Sequence, residues 1–325
     1  MTTKQYVFVV AIFVLSVLAS FYSGYFLKDL FIKSDVETET SQSNLKPYFS
    51  DEIILISKDA PHYTLIAYAS RTFKTSSSYS QRQKAFFFDG KTWQSDISNT
   101  ISVDSDIVSS PIIPKWNVVV DPTRVLKQSV SGEVQIGSNK VEFNVPEFNN
   151  ELGIRSLPEY TQFRSETSGQ IILNGKSYDS HVLYSRTYAY ATSISSIVVN
   201  NPVGINSDWV AFWDTDGNFY HVDKTSVDNN YKGEYKSHSI AIYKDNYGRI
   251  QKSFAFDIQK VLTTGYKIKI PANINKNINV SFLNEIDKNV SFSPYAWTTG
   301  QVEGEVVTEN GKRINGFGIY EQLYQ

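Results

Sequence analysis

The chain has 325 residues, enough for two domains of ordinary size, and 41% of them are apolar, enough for a large core. Its formal charge of −2 supplies no basic surface for the phosphates of nucleic acid. It has no cysteine, which excludes disulfides, thiolate nucleophiles and cysteine metal sites.

The stretch from Tyr6 to Leu27 carries no charge and follows Lys4 and the amino terminus. About 20 apolar residues span a bilayer as a helix. Positive charge stays on the cytoplasmic side, so an anchor here places the N-terminus inside and the rest outside. A cleaved signal peptide is the alternative, with Val17-Leu18-Ala19 as a small-residue cleavage pattern. Residues 1–28 are thus expected to be a transmembrane signal-anchor. Residues 29–46, polar and acidic over Ser34 to Lys46, are expected to be a flexible linker.

Beyond Lys46 the pattern has period two. Val141, Phe143 and Val145 alternate with Glu142 and Asn144; Tyr266, Ile268 and Ile270 alternate with Lys267 and Lys269; Ile278, Val280 and Phe282 alternate with polar residues. Such alternation predicts half-buried antiparallel strands. Asp89-Gly90, Asn174-Gly175, Asp216-Gly217 and Asn310-Gly311 predict tight hairpins. Phe254, Ile258, Val261 and Leu262 have helical spacing and leave one short segment open between helix and strand.

Three collinear pairs of segments suggest a duplication, with offsets of roughly 125 to 136 residues. Ala85-Phe86-Phe87 before Asp89-Gly90 matches Ala211-Phe212-Trp213 before Asp216-Gly217. Val141 to Pro146 matches Tyr266 to Pro271. Ser168 to Lys176 matches Glu303 to Lys312. The expected fold is all-β, with two antiparallel barrel or sandwich halves over residues 47–187 and 188–325.

In these motifs the chain resembles the two-domain lipocalin-like family of carotenoid 1,2-hydratases (hydroxyneurosporene synthases) and AttH-like proteins. Asp208 to Trp213 before Asp216-Gly217 resembles the family's Trp-containing strand ahead of a turn. Ser168 to Ser180 resembles its strand–turn–strand near the end of the first half. Gly316-Phe317-Gly318-Ile319-Tyr320-Glu321 resembles its C-terminal element. The family's Asp-His-x-Trp-Gly strand corresponds to Asp179-Ser180-His181-Val182-Leu183-Tyr184-Ser185, with an inserted Ser and no Trp or Gly.

The resemblance implies a site of acidic, His and aromatic groups. Hydrating or isomerising an alkene needs a proton donor in a dry pocket and aromatic faces for the developing cation. Glu321, His181 and Asp179 are the candidate catalysts. Trp209, Trp213, Tyr184, His221 and Asp223 are the candidate ligand contacts. Asp179 and His181, like His221 and Asp223, stand at i, i+2 on one strand face, which equally describes a solvated face. Glu321 could instead accept backbone hydrogen bonds where the last strand closes the barrel. Trp209 and Trp213 could be core.

The four His form no metal-ligand spacing, and no cofactor fingerprint occurs. Asn279-Val280-Ser281 and Asn289-Val290-Ser291 are acceptor sequons for glycosylation. The expected function is a membrane-anchored, extracytoplasmic binding protein for an apolar isoprenoid or lipid-like molecule, without cofactor, metal or nucleic acid. The alternatives are a hydratase or isomerase of a terpenoid double bond, and a non-catalytic envelope interaction protein.

Overall fold

Strands form where the period-two pattern predicts them, and they assemble into two antiparallel sheets that follow one another along the chain. The computed structural model describes residues 47–73, 78–104, 130–146, 151–157, 160–190, 205–227, 237–261, 264–271, 274–286 and 296–324, all within one compact unit, Lys46–Gln325. The apolar stretch Tyr6–Leu27, the linker 29–46 and Asn289 lie outside them. Among the described residues no helix is long and apolar enough to cross a membrane.

The first sheet comprises β1 (Pro47–Ser57), β2 (Thr64–Phe73), β3 (Ser78–Phe88), β4 (Trp93–Asp104), β5 (Val130–Ile136), β6 (Asn139–Val145), β7 (Glu151–Leu157), β8 (Tyr160–Leu173) and β9 (Lys176–Tyr190). Its order is β4-β3-β2-β1-β9-β8-β6-β5, with β7 pairing the other end of β8. The second comprises β10 (Ile205–Asp214), β11 (Phe219–Val227), β12 (His238–Lys244), β13 (Ile250–Ser253), β14 (Asp257–Val261), β15 (Gly265–Ile270), β16 (Lys276–Glu285), β17 (Ala296–Val307) and β18 (Arg313–Tyr324). Its order is β13-β12-β11-β10-β18-β17-β16-β15-β14. In each sheet the first strand pairs with the last, which curls the meander toward a barrel.

The predicted hairpins close on positive-φ glycines: Gly90, Gly175, Gly217 and Gly311, at φ of 91°, 84°, 84° and 78°. Side chains complete two of these turns. Asp89 accepts the backbone N–H groups of Lys91 and Thr92, both at 2.9 Å, and Asp214 accepts those of Asp216 and Asn218 at 3.0 and 2.9 Å. The segment left open becomes a strand: β14 pairs residue by residue with β15, and Phe254 stands exposed at the corner before it.

The duplication is architectural, but two of the three matched segments are not equivalent in it. Asn174-Gly175-Lys176 and Asn310-Gly311-Lys312 both join the last two strands of their sheets. Ala85-Phe86-Phe87 lies on β3, the third strand of its sheet, whereas Ala211-Phe212-Trp213 lies on β10, the first of its own. Likewise β6 pairs with β8 beside the closing strand, the place that β16 takes in the second sheet, not β15. Strands with the same pattern of burial share composition whatever their position: β3 and β10 are buried on both faces, β6 and β15 on one, and that likeness produced the false matches.

Three apolar cores follow from the alternation. Ile53, Leu55, Leu65, Phe87, Phe143 and Tyr184 pack inside the first half. Val210, Phe212, Tyr220, Tyr266, Ile278 and Tyr320 pack inside the second. The third core draws on both halves: Ile54, Ile56, Ile66, Phe86 and Leu183 pack with Trp209, Ala211, Trp213, Phe219, Ile242 and Ile319. Strands β1–β3 and β9 of one half therefore stand face to face with β10–β12 and β18 of the other. This is why Ile53-Ile54-Leu55-Ile56 and Trp209 to Trp213 are continuous apolar runs rather than alternating ones.

Candidate functional site

The seam between the halves is where charge collects. On the first sheet one cross-strand row reads Lys84, Tyr68, Glu52, Ser185 and Arg164 from β3 to β8. On the second, a row reads Thr299, Glu321, Trp209, Asp223 and Ile240 from β17 to β12, with Ala211, His221 and Ile242 in the row beside it. Cross-strand partners share a face. Membership of the third core places both faces toward the seam.

Arg164 joins the two sides. Its Nη1 donates to Asp223 Oδ2 at 2.9 Å and also to His221 Nε2. A guanidinium only donates, so His221 Nε2 is an acceptor and the ring is neutral with its proton on Nδ1. His238 Nε2 donates to Asp223 Oδ1 at 3.1 Å, and Thr225 Oγ1 reaches the same oxygen at 3.4 Å. Trp209 meets the His221 ring edge-on, 5.5 Å between centroids.

The titratable groups respond to this burial. Burial and the Arg164 charge hold His221 down to about 3, against the smaller opposing pull of Asp223. Asp223 suffers the same burial, yet Arg164 and His238 hold its carboxyl far below the usual carboxylate range. Glu321 is pushed well above that range by burial, then by the charges of Glu52 and Asp223, with Arg164 opposing. Glu52 is raised by burial and partly relieved by Arg164. Two carboxyls from opposite halves thus favour the protonated form, while a third beside them stays ionised. Asp223 and His221 are buried; Glu52, Arg164, His238 and Glu321 are each partly exposed, so one edge of the seam is open to solvent.

A second buried pair lies further along. Lys244 of β12 pairs with the Glu166 carboxylate of β8, and Trp213 Nε1 donates to Glu166 Oε1 at 3.1 Å. His181 stacks on Trp213 with centroids 5.1 Å apart and leans on Phe317 at 5.7 Å. Phe317 in turn carries His62 on its ring at 3.8 Å. Burial, then the charges of Lys58, His62 and Lys244, holds His181 down to about 3.

The candidates from sequence distribute unevenly. Glu321, His221, Asp223 and Trp209 gather around Arg164. His181 and Trp213 sit in the same seam beside the second pair. Asp179 is exposed at the start of β9, where Gln170 donates to it at 3.2 Å, and it joins neither group. Tyr184 faces the interior core of the first half. Glu52, Arg164, Glu166, His238 and Lys244 were not anticipated. Their signal was available: each is a charged or His residue on or beside a strand whose apolar run implies burial on both faces. Among the described residues no cluster of His, Asp and Glu could hold a metal ion.

A separate groove of about 610 Å³ lies on the second half, lined by Lys267, Asn279, Glu303, Glu305 and Asn315 over a floor of glycines. It contains none of the seam residues.

The fold has precedents. An AttH-type protein of Nitrosomonas europaea superposes with a TM-score of 0.51 at 13% identity, covering 86% of this chain and 92% of its own. Kievitone hydratase of Nectria haematococca superposes with a TM-score of 0.51 at 11% identity, covering 87% of this chain and 90% of its own. The chain has the lipocalin-like two-barrel fold. This is the fold that the resemblance of its motifs implies. No family model and no curated protein matches the sequence. In this lipocalin-like chain, then, Glu52, His181, His221, Asp223 and Glu321, whose titration burial displaces, stand between the barrels, while the inward faces of both barrels are packed with apolar and aromatic side chains.

Proposed function

We propose that the protein binds an apolar, unsaturated small molecule of isoprenoid or lipid type at the open edge of the seam, and that it does so on the outer side of a membrane to which Tyr6–Leu27 tethers it. The observation that carries this reading is the placement of Glu321. It stands on the seam face beside Trp209, partly exposed, with its carboxyl raised by burial and by Glu52. A neutral acid against apolar and aromatic walls accommodates a greasy ligand at little desolvation cost. The neighbouring fold of a protein named for hydratase activity is consistent with that chemistry.

Retinol quenching of tryptophan emission tests the binding. Three of the five tryptophans belong to the seam: Trp209 and Trp213 within its core, and Trp93 packed against it. Saturable quenching that falls away in Trp209→Phe and Trp213→Phe variants supports the reading; absence of quenching by retinol and by long-chain fatty alcohols rejects it.

A second reading is favoured by the same carboxyl. A protonated Glu321 can deliver a proton to a carbon–carbon double bond, with Trp209 facing the cation that forms and water entering from the open edge. Turnover of a terpenoid alkene that is lost in Glu321→Gln while retinol quenching survives would establish it.

A further inference from the structure

The groove on the second half is hollow because of how its strands pack, and it is lined by polar groups that the fold leaves unused. Lys267 of β15, Asn279 and Ser281 of β16, and Glu303 and Glu305 of β17 alternate with interior core residues such as Tyr266, Val280 and Val302, so they project outward. Cross-strand pairing sets them in two neighbouring rows. Lys267, Asn279, Glu305 and Asn315 form one, and Ser281 and Glu303 belong to the next.

The backbone imposes the glycines between them. A Cβ would lie 1.9 Å from the Val280 carbonyl oxygen at Gly265, 2.0 Å from that of Asn279 at Gly304, and 2.3 Å from that of Trp213 at Gly316. Where no side chain can stand the surface sinks, and a cavity of about 610 Å³ opens. That volume is in the range of small-molecule sites. Glu305 is held by Arg313. Among the described residues, the side chains of Lys267, Asn279, Ser281, Glu303 and Asn315 have no hydrogen bond or ion pair to the rest of the protein. A flat solvated face would leave such groups equally free, but here they surround one cavity.

We propose that this groove binds a short, uncharged oligosaccharide, independently of the ligand assigned to the seam. The lining decides the chemistry. Carboxylates only accept hydrogen bonds, an ammonium only donates, and amides and hydroxyls do both. A polyol meets every one of these needs, because each of its hydroxyls donates and accepts. An apolar occupant would strip water from all of them and return nothing. Charge narrows the choice. Arg313 offsets Glu305, which leaves Lys267 and Glu303 with opposite signs in the same groove. An anion there confronts Glu303, a cation confronts Lys267, and a neutral sugar confronts neither. The glycines complete the fit, since the C–H face of a sugar ring can lie on bare backbone.

The probe is a set of immobilised neutral tetrasaccharides built of glucose, mannose, galactose or N-acetylglucosamine, with sialylated and sulfated glycans beside them, exposed to the detergent-solubilised full chain. The expected result is retention on at least one neutral sugar, competed by the same sugar in solution. Glu303→Ala and Asn279→Ala should each weaken it by about tenfold or more, the loss of one or two hydrogen bonds, with urea unfolding unchanged. Trp209→Phe in the seam should leave it intact. Retention on none of the neutral sugars overturns the proposal, and so does binding that survives both alanine variants. Preference for the sialylated or sulfated glycans overturns it as well, in favour of an anion held by Lys267. Sugar binding without retinol quenching rejects the seam and leaves the groove standing; quenching without sugar binding rejects the groove alone.

Discussion

Arg164 and Asp223 belong to different halves of the chain, and their charged groups meet at 2.9 Å with side chains only 12% and 7% exposed. An ion pair so placed has surrendered most of its hydration. Asp223 regains it through Arg164, His238 and Thr225. The pair therefore fixes how the two faces register on one another, a specificity that apolar packing of isoleucines and tryptophans does not supply.

Removing one partner leaves the other buried and unmatched. Arg164→Met is expected to destabilise the protein by about 3–5 kcal/mol. The double variant Arg164→Met, Asp223→Leu should recover most of that loss, because no orphaned charge remains. Urea unfolding of the single and double variants measures both numbers. A single variant within about 1 kcal/mol of the parent, the range of exposed pairs, would show that the seam does not depend on this contact.

Acid should weaken the fold through two histidines. His181 and His221 are held down to about 3, against an ordinary value near 6.5 in the unfolded chain. Between those values the unfolded chain takes up protons that the folded chain refuses. Their contribution is intact above about pH 6.5 and is lost as the pH falls, at about 1.4 kcal/mol per pH unit for each histidine. His181→Phe keeps a ring on Trp213 and removes one of the two protons. Its unfolding free energy should decline less steeply between about pH 6 and pH 4, by about 1.4 kcal/mol per unit.

Much of the fold is legible in the residues. Val141 to Val145 and Tyr266 to Ile270 alternate because one face of β6 and of β15 meets solvent, and their strands follow directly from that pattern. The Asn-Gly and Asp-Gly turns fall where positive φ is needed. The site was legible only in part. Glu321, His221 and Asp223 stand out as polar residues among apolar runs, but the pattern of one strand cannot say which other strand it faces. Arg164 lies 57 residues from His221 in the chain, and only the packing of two sheets brings them together. The same blindness hid the orientation of Trp209 and Tyr184, one toward the seam and the other into a barrel. The continuous run Ile53 to Ile56 held the clue to a sheet covered on both sides.

Gly318 marks the tightest approach in the closure of the second sheet. It pairs with Phe212 across β10–β18, and a Cβ there would stand 2.0 Å from the carbonyl oxygen of Ala211 and 2.9 Å from Phe212 Cα. Backbone atoms cannot yield as a flexible side chain does. Gly318→Ala should therefore cost about 1–3 kcal/mol or more, by spreading the two strands that carry Trp209 and Glu321. Gly175 has nothing within 4 Å and only a φ of 84° to maintain, so Gly175→Ala should cost about 1 kcal/mol. Thermal or urea unfolding that ranks the two variants the other way would contradict the close approach.

Glu321 should make the protein less stable as pH rises, the reverse of the histidines. Its carboxyl titrates well above the ordinary 4.5. Between that value and its raised one, the folded chain keeps a proton that the unfolded chain has released. Unfolding becomes easier as the pH climbs through that window. Glu321→Gln preserves the shape, keeps hydrogen-bonding capacity and cannot ionise. It should therefore gain stability relative to the parent at pH 8 and show little gain at pH 5, where the parent carboxyl is itself protonated. Paired urea titrations at the two values decide the matter. A glutamine variant that is weaker at pH 8 would mean that Glu321 is an ionised partner of Arg164, with no proton to give, and acid chemistry in the seam would lose its donor.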